Sequence, residues 1–268
     1  MKRASELRPV LKPEIHPTAV IHPDARIGHN VKIGPFTVIG PHVSIGANCE
    51  IASSVVIEGR TTIGNGNKIF PGAIIGVVPQ DLKYADEISY VEIGDNNTIR
   101  EYVTIHLASG ENEKTRIGDG NLLMAYVHVA HNCVLSDNII LANAVNLAGH
   151  VNIGEWAILG GMTPVHQFVR IGAHAFIGGG SRVAQDVPPF VRVAGSPVEV
   201  SGLNSVGLKR RGFSEESLFN LKKAYRLLYR SGMNVSQALE KMALVCQLDP
   251  HLEELMAFIR RSERGIVR

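Results

Sequence analysis

Residues 27 to 40 read Ile27-Gly28-His29-Asn30-Val31-Lys32-Ile33-Gly34-Pro35-Phe36-Thr37-Val38-Ile39-Gly40, so an aliphatic residue followed by glycine returns at every sixth position. Outward from this stretch the same step runs unbroken from Ile15 to Ile75 and resumes at Ile93, Ile99 and Ile105. It then continues from Ile117 through Leu123, Val129, Leu135, Leu141, Leu147, Ile153, Leu159, Val165, Ile171 and Ile177 to Val183. Neither an α-helix nor an alternating strand has this period. It is the signature of a parallel β-helix, where one hexad is a short strand plus a turn and cannot bury its apolar face alone. The fifth position of the hexad is also small or β-branched, as at Ala19, Ala25, Val31, Thr37, Val43, Cys49, Val55 and Thr61. Positions one and five therefore point inward, and glycine after the aliphatic residue removes a Cβ clash at the corners.

The 268 residues are 45% hydrophobic with 27 glycines, the composition of a folded chain with room for one large core. No apolar run approaches the roughly 18 residues that span a bilayer, and Met1 to Glu14 lacks the hydrophobic stretch of a secretory signal. A cytoplasmic location is expected. Cys49 and Cys133 occupy the inward fifth position, Cys246 lies in a helical segment, and no spacing suggests zinc or a disulfide framework. The net charge of +2 hides an asymmetry: residues 1–204 hold 15 Lys+Arg against 18 Asp+Glu, residues 205–268 hold 12 against 7. A basic tail suits an acidic partner.

After Val183 the six-residue rule fades through Val187-Pro188-Pro189 and Pro197, and helical signals take over. Ser214 is a candidate N-cap before Leu218, Leu221, Tyr225 and Leu228 at helical spacing. A second helix is expected from Ser236 to Gln247, and a third opens at Asp249-Pro250. The organisation expected is an N-terminal extension over residues 1–14, a β-helix over 15–190, and an exit segment with a helical domain over 191–268. Two segments, Val77 to Tyr90 and Leu107 to Arg116, interrupt the repeat yet keep its phase. Their polar composition predicts loops that leave the scaffold, where substrate contacts concentrate.

The hexads resemble those of the hexapeptide-repeat acyltransferases, whose repeats wind three to a coil into a left-handed triangular prism. That resemblance implies that residues three hexads apart stack about 4.8 Å apart, the spacing of paired strands. His131, His150, His166 and Gln167 then fall on one face in three consecutive coils, with Gly149 directly between His131 and Gln167 and His128 at the adjoining corner. An imidazole titrates near neutral pH and suits a general base. Gly149 has no Cβ, so its N–H can act as an oxyanion donor. This pairing fits acyl transfer to a hydroxyl without a covalent enzyme nucleophile.

At these residues the resemblance narrows. Asn121-Leu122-Leu123-Met124, His128-Val129-Ala130-His131, Leu147-Ala148-Gly149-His150, Gly160-Gly161-Met162-Thr163, His166-Gln167-Phe168, Val183 to Pro189 and Gly207-Leu208-Lys209-Arg210-Arg211-Gly212-Phe213 resemble the acyl-carrier-protein–UDP-N-acetylglucosamine 3-O-acyltransferase family, which begins lipid A synthesis. The likeness implies an acyltransferase with His131 as base, Gly149 as oxyanion donor, and His128, His150, His166 and Gln167 beside the substrate. It places Gln80, Asp81 and Lys83 against the nucleotide sugar or acyl group, Asn204 and Arg210 against the pantetheine arm and nucleotide, and Lys209 and Arg211 in a docking cluster for acidic acyl carrier protein. Gly179 matches the position that limits the acyl pocket. The expected partners are acyl carrier protein, UDP-N-acetylglucosamine and two further copies in a homotrimer with sites between subunits. No metal and no cofactor beyond the carrier's phosphopantetheine is implied, and no nucleic acid. Asn132 departs from the pattern, because some relatives carry Asp beside the base. A 3-amino sugar acceptor or a non-catalytic scaffold are the alternatives, while the His128, His131 and His150 spacing does not resemble the zinc motif of γ-class carbonic anhydrases.

Overall fold

The computed structural model describes residues 12–268, so all but the last three residues of the expected extension over 1–14 lie outside the described part. Residues from Glu14 onward wind as a left-handed parallel β-helix with three faces. The first face stacks strands from Glu14–Ile15 to Phe176–Ile177, the second from Val20–Ile21 to Pro164–Val165, the third from Arg26–Ile27 to Arg170–Ile171. Most hexads contribute a two-residue strand whose second residue, the aliphatic one, points inward; Ile57, Ile75, Ile99, Ile105, Leu123 and Leu141 are fully buried. The fifth position is buried as well, including Cys49 and Cys133.

Turns occupy the remaining positions and set the corners. The fourth residue of the hexad is left-handed, and asparagine, which tolerates that conformation, stands there at Asn30, Asn48 and Asn138. Glycine after the aliphatic residue has another reason. At Gly28 a Cβ would lie 2.6 Å from the carbonyl carbon of Gly46 in the next coil, so the clash it removes is with the stacked turn.

The two interruptions change the spacing between coils. Lys68 pairs with Glu50, three hexads earlier, but with Thr98, five hexads later, and Thr98 pairs with Leu122, four hexads on. The first excursion thus adds two hexads and the second adds one, and because both are whole multiples of the repeat its phase survives them. Both leave from the corner between the second and third faces: residues 78–89 join Ile74–Val77 to Tyr90–Ile93, and residues 107–113 join Thr104–His106 to Lys114–Ile117.

Beyond Ile177 the first face gains Val191–Ala194 and, antiparallel to it, Glu199–Leu203. Four helices follow: α1 (Ser205–Arg210), α2 (Glu215–Tyr229), α3 (Val235–Val245) and α4 (Pro250–Arg260). Ser214 caps α2 and Asp249 caps α4 as the sequence predicts. The second predicted helix starts one residue earlier, at Val235, because Asn234 and Gln237 form a reciprocal capping box, and it ends at Val245 rather than Gln247. The short α1 has too few apolar positions to be periodic. Its cap is Asn204, whose side chain accepts from the Gly207 N–H. A second apolar cluster of Phe190, Leu208, Leu218, Leu221, Met242, Leu252 and Met256 holds the helices together. Asp186 ties them to the prism: its carboxylate accepts from the Arg170 N–H at 2.8 Å and the Ser262 hydroxyl at 2.7 Å, and its carbonyl from the Val267 N–H at 2.9 Å. Among the described residues no helix is long and apolar enough to cross a membrane.

Because each aliphatic rung is buried only by its neighbours, Leu141→Ala should lower stability by about 2–5 kcal/mol through lost burial and the cavity left behind. Urea unfolding followed by circular dichroism measures this, and an unchanged midpoint would contradict the packed core described above.

Candidate active site

The corner between the second and third faces is a ridge on which five consecutive coils place the excursion 78–89, the excursion 107–113, then His131-Asn132, Gly149-His150 and Gln167-Phe168. Backbone bonds fix the last three in register: the His150 N–H donates to the His131 carbonyl and the Phe168 N–H to the Gly149 carbonyl, both at 3.0 Å. His131, Gly149 and Gln167 therefore stack, but along an edge of the prism, where the sequence reading placed them on a flat face. His128 is the residue on the flat face, within the strand His128–Val129, where that reading put it at a corner. The turn occupies hexad positions three and four, whereas that reading set the corner at position six, which belongs to the strand.

His131 is largely enclosed, its side chain 15% exposed. Nδ1 lies 2.9 Å from Asn132 Oδ1. That oxygen also accepts from the Ser109 N–H at 2.9 Å, while Asn132 Nδ2 donates to the Ser109 carbonyl at 3.1 Å. The pair of bonds to one residue's backbone fixes which end of the amide is oxygen, so His131 Nδ1 must carry the proton. In the neutral ring, Nε2 then bears the free lone pair. Asn132 owes its place partly to the turn, for it is left-handed with φ 59°, and its side chain supplies the tautomer lock in addition.

Nε2 faces two groups. Asp81 Oδ2 is 4.0 Å away, brought in by the first excursion. Its carboxyl is held below the usual carboxylate range, chiefly by the Lys83 backbone N–H, with the Ser109 hydroxyl and His131 adding to the effect. The other neighbour is Gly149, where a Cβ would stand 2.5 Å from both Cε1 and Nε2. Glycine is needed here to seat the imidazole, a reason additional to substrate access. The Gly149 N–H makes no hydrogen bond among the described residues.

His150 meets His131 edge-on with ring centroids 5.2 Å apart and stacks on Phe168 at 4.5 Å. Burial lowers its pKa, with His131 contributing. His128 Nδ1 is 2.7 Å from Thr104 Oγ1, and its ring meets His106 at 4.9 Å. Burial, and then the neighbouring histidines, push His106 down to about 4 and His128 down as well, so both favour the neutral form. His166 and Gln167 are exposed at the far end, with His166 Nδ1 3.1 Å from the Gln167 carbonyl. Gln80 and Lys83 are exposed on the excursion that carries Asp81. His106, Thr104 and Ser109 were not singled out by the sequence reading, and Phe168 entered it only as part of a motif, without a role. His106 was hidden because its coil is four hexads from the next, so counting in threes misses it.

Other expected residues lie apart from this ridge. Gly179 sits at a different corner, stacked on Gly161 between the first and second faces. Asn204 is buried and its amide has structural partners: Nδ2 donates to the His174 carbonyl at 2.9 Å and Oδ1 caps α1. The docking cluster is also less free than expected. Lys209 is 2.8 Å from Glu215, and Arg211 lies over the Trp156 ring at 5.0 Å, which leaves Arg210 exposed and outside any ion pair among the described residues. Exposed Lys222, Arg226 and Arg230 repeat at helical spacing along and just beyond α2 and form a basic stripe. Among the described residues no group of three or more His, Cys, Asp or Glu side chains is arranged to hold a metal ion.

Known proteins resemble this chain along nearly its whole length. Residues 186–267 match the family model described as UDP N-acetylglucosamine O-acyltransferase, domain 2, and residues 12–41 and 24–59 match the bacterial transferase hexapeptide repeat. An acyl-[acyl-carrier-protein]–UDP-N-acetylglucosamine O-acyltransferase of Gloeothece citriformis is 59% identical over 94% of this chain and 91% of the relative. Its namesake from Synechocystis shares the same identity and coverage. A crystal structure of a UDP-N-acetylglucosamine acyltransferase from Bacteroides fragilis superposes with TM-score 0.93 at 46% identity, covering 95% of this chain and all of that one.

Gly149→Ala would drive a methyl group into the His131 ring and turn it from Asn132. Turnover should fall about 100-fold, the scale expected for a misplacement near 1 Å, with little change in the unfolding midpoint; native turnover would show that the stacking has no functional weight.

Proposed function

Because this chain belongs to the acyl-[acyl-carrier-protein]–UDP-N-acetylglucosamine O-acyltransferase family and is an acyltransferase, we propose that it moves an (R)-3-hydroxyacyl group from acyl carrier protein to the 3-hydroxyl of UDP-N-acetylglucosamine, the opening step of lipid A synthesis. The observation that carries the mechanism is the Asn132 clamp, which leaves Nε2 of His131 as the proton acceptor above Gly149. His131 Nε2 removes the proton of the sugar hydroxyl, and the oxygen attacks the thioester carbonyl. The free Gly149 N–H takes the developing oxyanion. Collapse expels the carrier thiolate, which recovers the proton from imidazolium. The acyl group travels on the carrier's phosphopantetheine, so no resident cofactor takes part.

Asp81, ionised and facing Nε2, favours imidazolium as it forms and offers the sugar an acceptor; Asn132, being neutral, orients the ring without adding charge. Gln80 and Lys83 on the same excursion, with His128, His150, His166 and Gln167 along the ridge, line the approach for nucleotide sugar and pantetheine. Arg210 and the stripe Lys222, Arg226 and Arg230 steer the acidic carrier. A homotrimer with sites between subunits fits two features. Apolar side chains stand outward and uncovered on the single chain, among them Val20, Tyr102, Tyr126, Met162 and Phe176, and Gly179 and His131 sit on different corners. Only a neighbouring copy brings those corners to one cleft.

Mass analysis of products from acyl carrier thioesters with UDP-N-acetylglucosamine and its 3-amino analogue tests the assignment. His131→Ala should lower kcat roughly 1,000-fold, within the range a general base contributes, while the protein stays folded. Near-native turnover would remove the base, acylation of the amino analogue alone would replace the acceptor, and no transfer from any thioester would reduce the chain to a scaffold.

A further inference from the structure

The excursion 78–89 reaches both nitrogens of the His131 ring, by two routes. Asp81 faces Nε2 directly at 4.0 Å. The other route begins at Glu87. One of its carboxylate oxygens accepts from the Ala85 N–H of its own excursion at 2.7 Å, and the other from the Gly110 N–H of the second excursion at 2.6 Å. The Ser109 hydroxyl is 3.4 Å from that second oxygen. Ser109, one residue before Gly110, then holds both ends of the Asn132 amide, and Asn132 Oδ1 holds the Nδ1 proton.

We propose that Glu87 is a positioning residue for the proposed base, pinning the Ser109-Gly110 stretch on which Asn132 and the tautomer of His131 depend. This rests on the reading of His131 as the base. Other bonds also zip the two excursions together: the Ser89 hydroxyl donates to the Ala108 carbonyl at 2.6 Å, the Asn112 N–H to the Ile88 carbonyl at 2.7 Å, and the Ile88 N–H to Glu111 at 3.1 Å. These bonds fall at Ala108, Glu111 and Asn112, flanking Ser109-Gly110. Glu87 bonds to that stretch itself, so its loss loosens the stretch next to Asn132 while the rest of the zip persists. Apart from Asn132, the stretch then keeps, among the described residues, only the Glu113 N–H on the Gly110 carbonyl at 3.1 Å and the Ser109 contact with Asp81. The Ala85 and Gly110 N–H groups hold the Glu87 carboxyl below the usual carboxylate range, so it stays ionised at neutral pH and accepts through both oxygens. One excursion thus carries residues expected to meet the substrate, Gln80, Asp81 and Lys83, together with the group that sets the ring behind it. Substrate contacts that order this excursion also order the base.

The test uses the full-length protein with 15N-labelled histidine. Wild type should show a His131 ring with Nδ1 protonated and Nε2 bare. Glu87→Ala should lower kcat about 10- to 100-fold with KM for both substrates changed less than about 3-fold, with a mixture of His131 tautomers in the spectrum. A misplaced group near reacting atoms costs on this order. Glu87→Gln keeps one acceptor and should fall between the two, about 3- to 10-fold below wild type. Native kcat and an unaltered 15N pattern in Glu87→Gln and Glu87→Ala would overturn the proposal, and if the alanine variant does not fold, the glutamine variant alone decides it by the same two readouts. Failure of the base itself is separable: a fully active His131→Ala removes the catalytic reading, whereas an inactive His131→Ala beside a native Glu87→Ala removes only the positioning role.

Discussion

Stacking in vertical register is the constraint on which the rest of this structure depends. A two-residue strand has almost no stability alone, and its single inward aliphatic side chain is covered only by the coils above and below. Backbone bonds along the strands and corners run mainly from one coil to the next, so any insertion must return the chain to the same corner in the same phase. The two excursions satisfy this, each returning the chain to the same corner after adding whole hexads.

The same register makes an active site from a repetitive wall. Consecutive turns at one corner place side chains a strand spacing apart, close enough for an imidazole to rest on the Cα of the next coil, provided that position is glycine. Both excursions leave from this corner, so the irregular parts of the chain are gathered where the chemistry is proposed. Regular coils supply rigidity and spacing; the excursions supply the carboxylates and the peptide that address the ring.

The helical end plays a different part. It closes the last coil with its own apolar cluster, anchored through Asp186, and commits side chains that a motif alone would assign to ligands. Asn204 caps α1, Lys209 pairs with Glu215 and Arg211 covers Trp156, so the basic character left for a partner shifts toward α2. A residue's chemistry and its availability are separate questions, and packing answers the second.

The six-residue period by itself determined a stacked β-helix and its inward positions, and local capping patterns determined the helix starts at Ser214 and Asp249, because neither needs knowledge of distant contacts. Three hexads to a coil, and with them the columns that join His131 to Gly149 and Gln167, came from the likeness to the hexapeptide-repeat acyltransferases. The sequence reading left open which slot turns the corner, and so mistook an edge for a face. Only the tertiary structure decided that Asp81 faces His131 directly while Ser109 acts on it through Asn132, that His106 joins His128, and which imidazole nitrogen is free. Those depend on where aperiodic loops fold back and how single side-chain hydrogen bonds are aimed, and a six-residue rule carries no information about either.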